Sequence, residues 1–139
     1  MLDRIRNLQI VCGTVVLGLV LVNAILAILL RRGLTPVHLP QTVVFIAFAA
    51  AVGLLVAAPA VKGAVYKRAD AEGIHGDLGQ VFAAYRTATL AAFALRETAG
   101  LIGFALAVTT ANPWWSWGLG GAAAIAMILD WPKREHLGL

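Results

Sequence analysis

Four long apolar runs dominate the chain and limit what it can fold into. They cover about residues 8–30, 42–61, 92–111 and 114–131. A run of about 20 apolar residues lets one helix cross the roughly 30 Å hydrocarbon core of a bilayer. A helix also satisfies its backbone polar groups internally, as hydrocarbon requires. The sequence therefore predicts an all-α integral membrane protein, a transmembrane four-helix bundle with one span in each run.

Composition and chain organisation agree with this class. Of the residues in the chain, 60% are hydrophobic and 13% are charged. In water-soluble domains roughly a quarter of the residues are charged. The first apolar run is longer than the roughly 7–15 residues of a signal-peptide core, so we expect a retained helix. Cys12 is the only cysteine, which excludes an internal disulfide. We expect a single transmembrane domain over 1–139, with a polar cytoplasmic loop over 63–80 and Asp77 as a helix N-cap.

The basic residues predict how the bundle is oriented. Four spans place both termini and the central loop on one side, which then carries most of the basic residues: Arg4, Arg6, Lys62, Lys67, Arg68, Arg86, Lys133 and Arg134. The other side has only Arg31 and Arg32. By the positive-inside rule both termini are cytoplasmic, so we expect a multi-pass protein of a bacterial cytoplasmic (inner) membrane. Tryptophans favour the membrane interfaces, and we expect four of them as anchors: Trp114, Trp115 and Trp117 outside, and Trp131 inside.

Small residues every four positions predict close packing of the last two helices. The third helix carries Ala99, Gly103 and Ala107, and the fourth carries Gly118, Ala122 and Ala126. In an antiparallel hairpin the expected pairs are Ala107 with Gly118, Gly103 with Ala122, and Ala99 with Ala126.

Arg96 and Asp130 lie about one helical turn beyond these two rows of small residues. At about 1.5 Å of rise per residue, Arg96 lies roughly 24 Å below Asn112, and Asp130 lies roughly 20 Å below Trp117. Because the two depths match, the sequence predicts a structural ion pair between Arg96 and Asp130. The alternative is that Arg96 extends to a lipid phosphate, as long basic side chains near helix ends do.

Glu97 is harder to place, because its neighbours at three and four positions along the helix cannot pair with it. Lys62 and Thr14 lie at compatible depths. Three interpretations stay open: a carboxylate solvated by headgroups or paired with Lys62, a contact with another subunit, and a proton site. The last rests on the rule that a carboxyl group in hydrocarbon favours its protonated form and can relay protons.

The run "ALRETAGLIGFALA", residues 94–107, resembles the carboxylate-bearing helix of rotary ATPase ring subunits. That resemblance implies Glu97 as an ion-binding residue. The segment, with the proline and charged residues after the last span, is also similar to small four-helix bacterial membrane proteins, which implies a class without an activity.

Other residue types give no sign of catalysis or of a cofactor. His38, His75 and His136 lie outside the apolar runs, whereas haem within a bilayer usually needs an axial ligand inside it. The acidic residues and histidine of the central loop do not have the spacing of a metal site. We therefore expect no catalytic residue, no intrinsic cofactor and no metal, and we expect bound lipid. Asn23 is expected to clamp two helices together, with a pore-lining role as the alternative.

These observations favour a non-enzymatic accessory or scaffold subunit of a larger bacterial membrane complex, with an energy-transducing assembly as the first setting to search. The expected partners are other membrane subunits or a second copy of the chain, together with lipids. Topology explains the net charge of +4, so no nucleic acid is expected. One alternative is a small proton or ion transporter or channel that uses Glu97. Another is a lipid-binding protein with headgroups near Arg86, Arg96 and Lys133.

Overall fold

A computed structural model describes residues 2–71 and 78–133. The chain forms four helices, which confirms the all-α prediction: α1 (Leu2–Arg31), α2 (Gln41–Ala71), α3 (Leu78–Thr110) and α4 (Trp114–Leu129). Asp77, the expected N-cap, lies outside the described residues.

Three of the helices are long and apolar enough to cross a membrane, over Leu2–Arg31, Gln41–Val65 and Gly79–Thr110. The fourth differs from the predicted span over 114–131, because α4 has only 16 residues. At about 1.5 Å per residue it is roughly 24 Å long, less than a bilayer core. It ends at Leu129 because Pro132 disfavours helical geometry at the residue before it, and Asp130 already leaves the helix with φ −100° and ψ 24°.

The segment 63–80, expected as a polar loop, is helical at both ends. α2 continues to Ala71, and α3 begins at Leu78. Alanine, lysine and arginine, which are frequent after Lys62, have high helix propensity, and a polar composition alone does not end a helix. The polar residues here extend α2 beyond its apolar part.

α3 is the central helix of the bundle. In its most apolar part 44% of the residues are buried, against 11% in α1 and in α2. It packs against all three other helices, and α1 also contacts α4. One core cluster joins residues of α1, α3 and α4: Ile5, Leu8, Cys12, Leu19, Phe82, Tyr85, Phe93, Ala123 and Met127. A second cluster joins Ala51 of α2, Ala99 of α3 and Leu119 of α4.

The corner between α3 and α4 is closed by local hydrogen bonds. The Asn112 N–H donates to the Ala107 carbonyl at 3.2 Å, and Ala111 adopts a left-handed φ of 53°. This is the Schellman arrangement that commonly ends helices, although glycine usually occupies the left-handed position. The Asn112 Oδ1 then accepts a hydrogen bond from the Trp114 N–H at 3.1 Å. The corner thus determines how α4 is rotated against α3.

The α3 side of the predicted small-residue packing is buried, but the α4 side is not the one expected. Gly118 and Ala122 are exposed and Ala126 is half-buried. A methyl group on Gly103 would lie 2.7 Å from both the Leu119 Cβ and the Trp115 carbonyl oxygen, so Gly103 faces Leu119 and not Ala122. The buried face of α4 consists of Ser116, Leu119, Gly120, Ala123 and Met127. Depth matching could not detect this, because it gives height along a helix and not rotation about its axis.

Candidate functional site

The most unusual arrangement in the bundle is a cluster of three charged side chains from three helices. Arg96 Nη1 of α3 donates to Asp130 Oδ2 at 2.8 Å. Lys62 Nζ of α2 donates to the other oxygen, Asp130 Oδ1, at 2.7 Å. We call these three residues the Asp130 cluster. One carboxylate at the end of α4 therefore binds two cations.

The Asp130 cluster is largely withdrawn from the surface. The exposed fractions of the side chains are 7% for Arg96, 14% for Lys62 and 24% for Asp130. The Lys62 ammonium also lies 5.5 Å from the centre of the Tyr85 ring, within the range of a cation–π contact. The Nε of Arg96 is buried and has no hydrogen-bond partner among the described residues. Arg96 thus faces the protein interior and does not extend to lipid.

The residues that follow α4 connect the Asp130 cluster to α1 as well. Gln9 Nε2 donates to the Pro132 carbonyl at 2.9 Å, and Trp131 packs against the larger core cluster. A methyl group on Gly13 would lie 3.5 Å from the Trp131 ring. All four helices are therefore tied together at this level. The same contacts place the described C-terminal residues at the end of the bundle where α1 begins.

Glu97 is not part of this cluster. Its Oε1 lies 4.0 Å from the position of a methyl group on Gly18, which places the carboxylate beside α1. The two partners expected within the chain bond elsewhere: Lys62 bonds Asp130, and the Thr14 hydroxyl donates to the Ile10 carbonyl. The predicted Glu97–Lys62 pair is therefore wrong. Glu97 is half-buried and has no hydrogen bond or ion pair to a described residue.

A second, neutral contact layer lies toward the other end of the bundle. Ser116 Oγ of α4 donates to Asn23 Oδ1 of α1 at 2.8 Å, and Asn23 Nδ2 donates to the Leu19 carbonyl at 2.9 Å. Nearby, a methyl group on Gly100 would lie 2.7 Å from a Leu19 methyl group and 3.6 Å from the Gly120 Cα. Asn23 joins two helices, as expected of a clamp. Glycines let the helices approach each other at this layer.

The tryptophans expected as membrane anchors occupy two kinds of position. Trp114 and Trp117 are exposed to 71% and 46% and contact each other edge to face. Trp115 is half-buried and packs edge to face on Phe48 of α2, with ring centres 5.7 Å apart. Trp131 packs partly into the bundle. The pair at the start of α4 is thus the most available for an interface.

The Asp130 cluster offers structural chemistry, because its one carboxylate bonds both cations. Among the described residues no three histidine, cysteine or acidic residues are grouped closely enough to hold a metal. The acidic residues and histidine of the central loop, as well as His136, lie outside the part whose side chains are described. The buried Ser116 hydroxyl donates to Asn23.

Sequence reasoning paired Arg96 with the residue it contacts, but it did not include Lys62 in that pair. A signal was present, because Lys62 directly follows the second apolar run and so lies at a depth similar to that of Arg96. The glycine contacts of Gly100 and Gly120 were also missed. Their signal, glycines clustered on both α3 and α4, was assigned to a neighbouring face of α4.

The fold and the site define an all-α chain with three helices of membrane-spanning length, tied together by a charged cluster. Comparison with protein-family models, with curated proteins and with solved structures finds no match.

Proposed function

We propose that the protein is a non-enzymatic, multi-pass protein of a bacterial cytoplasmic membrane, with both termini on the cytoplasmic side. In this proposal it is an accessory or scaffold subunit of a larger membrane complex, with energy-transducing assemblies the first to search. Helix length and hydropathy support insertion in the membrane. The excess of basic residues at one end of the bundle supports the orientation.

One observation carries the subunit proposal: the small residues of α4 that were expected to pack inside the chain face outward. Gly118 and Ala122 are exposed, and no atom lies within 4 Å of a methyl group placed on Gly118. Helices in lipid associate where small residues let backbones approach. Gly118 also lines a groove of about 370 Å³ together with Phe48 and Trp114. An uncovered surface of this kind suits a helix of another chain.

The charge arrangement agrees with a structural role. Lys62 and Arg96 both bond Asp130, so the two cations are engaged within the chain. A stable bundle with an uncovered small-residue surface is what a subunit needs in order to dock against a larger assembly.

The test is purification of the tagged protein from its native membrane in a mild detergent, followed by native gel electrophoresis and mass spectrometry. We expect co-migration with a stoichiometric set of other membrane subunits. Replacing both small residues, Gly118→Leu with Ala122→Leu, should release those subunits because the larger side chains prevent close approach. Ala24→Leu, at an exposed position on α1, is the matched control and should keep them. A wild-type protein that runs alone or only with itself contradicts the subunit proposal.

A second candidate function, proton or ion transport, is favoured by Glu97. This carboxylate is half-buried and bonded to no described residue, and intramembrane ionisable groups of this kind often mark ion pathways. The test is proton flux in liposomes that contain the purified protein. A transporter predicts flux in the wild type that is lost in Glu97→Gln and kept in Asp3→Asn, a matched change at an exposed carboxylate of α1. Absence of flux in the wild type counts against this candidate.

A further inference from the structure

A groove on the surface lies between the N-terminal parts of α1 and α3. It has a volume of about 540 Å³, and its polar lining comes from Arg4 and Asn7 of α1 and from Arg86 and Thr87 of α3. All four side chains are exposed. Two guanidinium groups from different helices therefore border a single depression.

The groove changes character along its length. Leu8 and Phe82 line it and are nearly fully buried, with 2% and 5% exposure, so its floor is apolar. Val11 and Leu90 also line it. At about 1.5 Å per residue, Val11 lies roughly 10 Å beyond Arg4 along α1, and Leu90 roughly 6 Å beyond Arg86 along α3. Both arginines therefore lie nearer the end of the bundle than Val11 and Leu90. Phe82, about one helical turn before Arg86, adds an apolar residue to the basic end.

The two arginines differ from Arg96 in having no ion pair with a described carboxylate. Arg96 already donates to Asp130, so it is not available to a headgroup as the sequence had suggested it could be. Arg4 and Arg86 are exposed, and guanidinium groups bind phosphate through paired, charge-assisted hydrogen bonds.

We propose that this groove is a specific binding site for an anionic phospholipid, with the phosphate held by Arg4 and Arg86 and an acyl chain lying along Val11 and Leu90. The step from the two arginines to Val11 and Leu90 matches the order of headgroup and acyl chain in such a lipid. A soluble phosphate compound would use the arginines and leave the apolar part of the groove uncovered, which is why the lipid is the better fit. The site is independent of the subunit role proposed above.

The test is lipid binding to the purified, delipidated full chain in detergent, measured by native mass spectrometry. The probes are dioleoyl phosphatidylglycerol, dioleoyl phosphatidylcholine and the soluble headgroup glycerophosphoglycerol. We expect phosphatidylglycerol to bind at least tenfold more tightly than each of the other two. The double variant Arg4→Gln, Arg86→Gln should lose that tenfold preference, because a neutral amide cannot make the charge-assisted hydrogen bonds that a guanidinium makes to phosphate.

The matched control is Arg31→Gln with Arg32→Gln, which removes an exposed arginine pair at the opposite end of α1. It should keep wild-type affinity. A further variant, Leu90→Trp, fills the apolar part and keeps both arginines, so it should weaken lipid binding and leave the soluble headgroup unaffected. Thermal unfolding of each variant establishes that it is folded.

Three results would overturn the proposal. The first is an equal loss of phosphatidylglycerol affinity in the Arg4/Arg86 and Arg31/Arg32 double variants, which would indicate an effect of general surface charge. The second is that the wild type binds phosphatidylcholine as tightly as phosphatidylglycerol. The third is that the wild type binds the soluble headgroup as tightly as phosphatidylglycerol. Each is read only from variants that unfold at wild-type temperature.

Discussion

The two contact layers of the bundle hold the helices together by different means. Near the end where α1 begins, Lys62, Arg96 and Asp130 join three helices through full charges. Near the other end, Asn23 and Ser116 join two helices through one neutral hydrogen bond, and glycines bring the backbones close. The charged layer depends on each charge having a counter-charge, whereas the neutral layer depends on how closely the helix backbones pack.

This difference follows from the cost of polar groups away from water. A charge in such surroundings is expensive unless a counter-charge accompanies it, so removing one partner penalises those that remain. A neutral hydrogen bond between helices in a membrane is worth on average only about 0.6 kcal/mol. Substitutions should therefore reduce stability most in the charged layer. In the neutral layer, substitutions of the glycines should reduce it most.

The largest effect is expected for Asp130→Asn. This change removes the only described carboxylate bonded to Lys62 and Arg96 and leaves two cations facing each other. Breaking a buried ion pair commonly costs 3–5 kcal/mol, and we expect about 3 kcal/mol here because Asp130 is partly exposed. The measurement is the free energy of unfolding in mixed micelles titrated with SDS, followed by tryptophan fluorescence.

Single removal of a cation should cost less than removal of Asp130, because the carboxylate keeps one partner. Lys62→Met and Arg96→Met are the comparison, and Asp3→Asn is the control for an exposed carboxylate. If Asp130→Asn proves no more destabilising than Asp3→Asn, the charged layer does not hold the bundle together.

The next largest effect is expected for Gly103→Ala, which tests the observed face of α4. Its methyl group would lie 2.7 Å from the Leu119 Cβ and from the Trp115 carbonyl oxygen. Overpacking of this kind costs about 2 kcal/mol, and part of the contact is with backbone that cannot move away. The same unfolding titration measures it.

Gly118→Ala is the matched control on the facing helix. No atom lies within 4 Å of the added methyl group, and alanine has the higher helix propensity, so the change should be neutral or stabilise by up to about 1 kcal/mol. The packing first expected from the sequence, with Gly118 against Ala107 and Gly103 against Ala122, requires Gly118→Ala to be damaging as well. A Gly118→Ala variant that is as destabilised as Gly103→Ala would therefore contradict the structure and favour that packing.

Much of the fold was readable from the sequence, because apolar run length and charge placement act locally. The runs located the four helices, and matching depths brought Arg96 to Asp130. The predictions that were wrong concern features that depend on contacts between helices. The rotation of α4 about its own axis depends on the corner at Ala111 and Asn112. A change in that rotation by one residue position, about 100°, moves Ala122 outward and Leu119 inward.

Contacts between helices also decide which carboxylate Lys62 bonds. Depth placed Lys62 near Glu97, whereas in the structure Lys62 bonds Asp130. Only the packing of the helices distinguishes the two carboxylates. Glu97, for which the sequence left a pair with Lys62 open, has no hydrogen bond or ion pair to a described residue. Its role therefore rests on experiment, through the flux and co-purification measurements described above.

The smallest of the predicted losses of stability, apart from the controls, is expected for Ser116→Ala in the neutral layer. The change removes the donor to Asn23 Oδ1, and we expect a loss of about 0.6 kcal/mol, the average for such bonds between membrane helices. The control is Thr98→Ala, whose hydroxyl donates only within its own helix, to the Ala94 carbonyl at 2.8 Å, and which should change stability less. A double-mutant cycle with Asn23→Ala isolates the bond, because the coupling energy remains after the separate effects are subtracted. A coupling as large as the effect of Asp130→Asn would mean that the neutral layer is not the weaker of the two, and that Asn23 orders the helices more than a single hydrogen bond can explain.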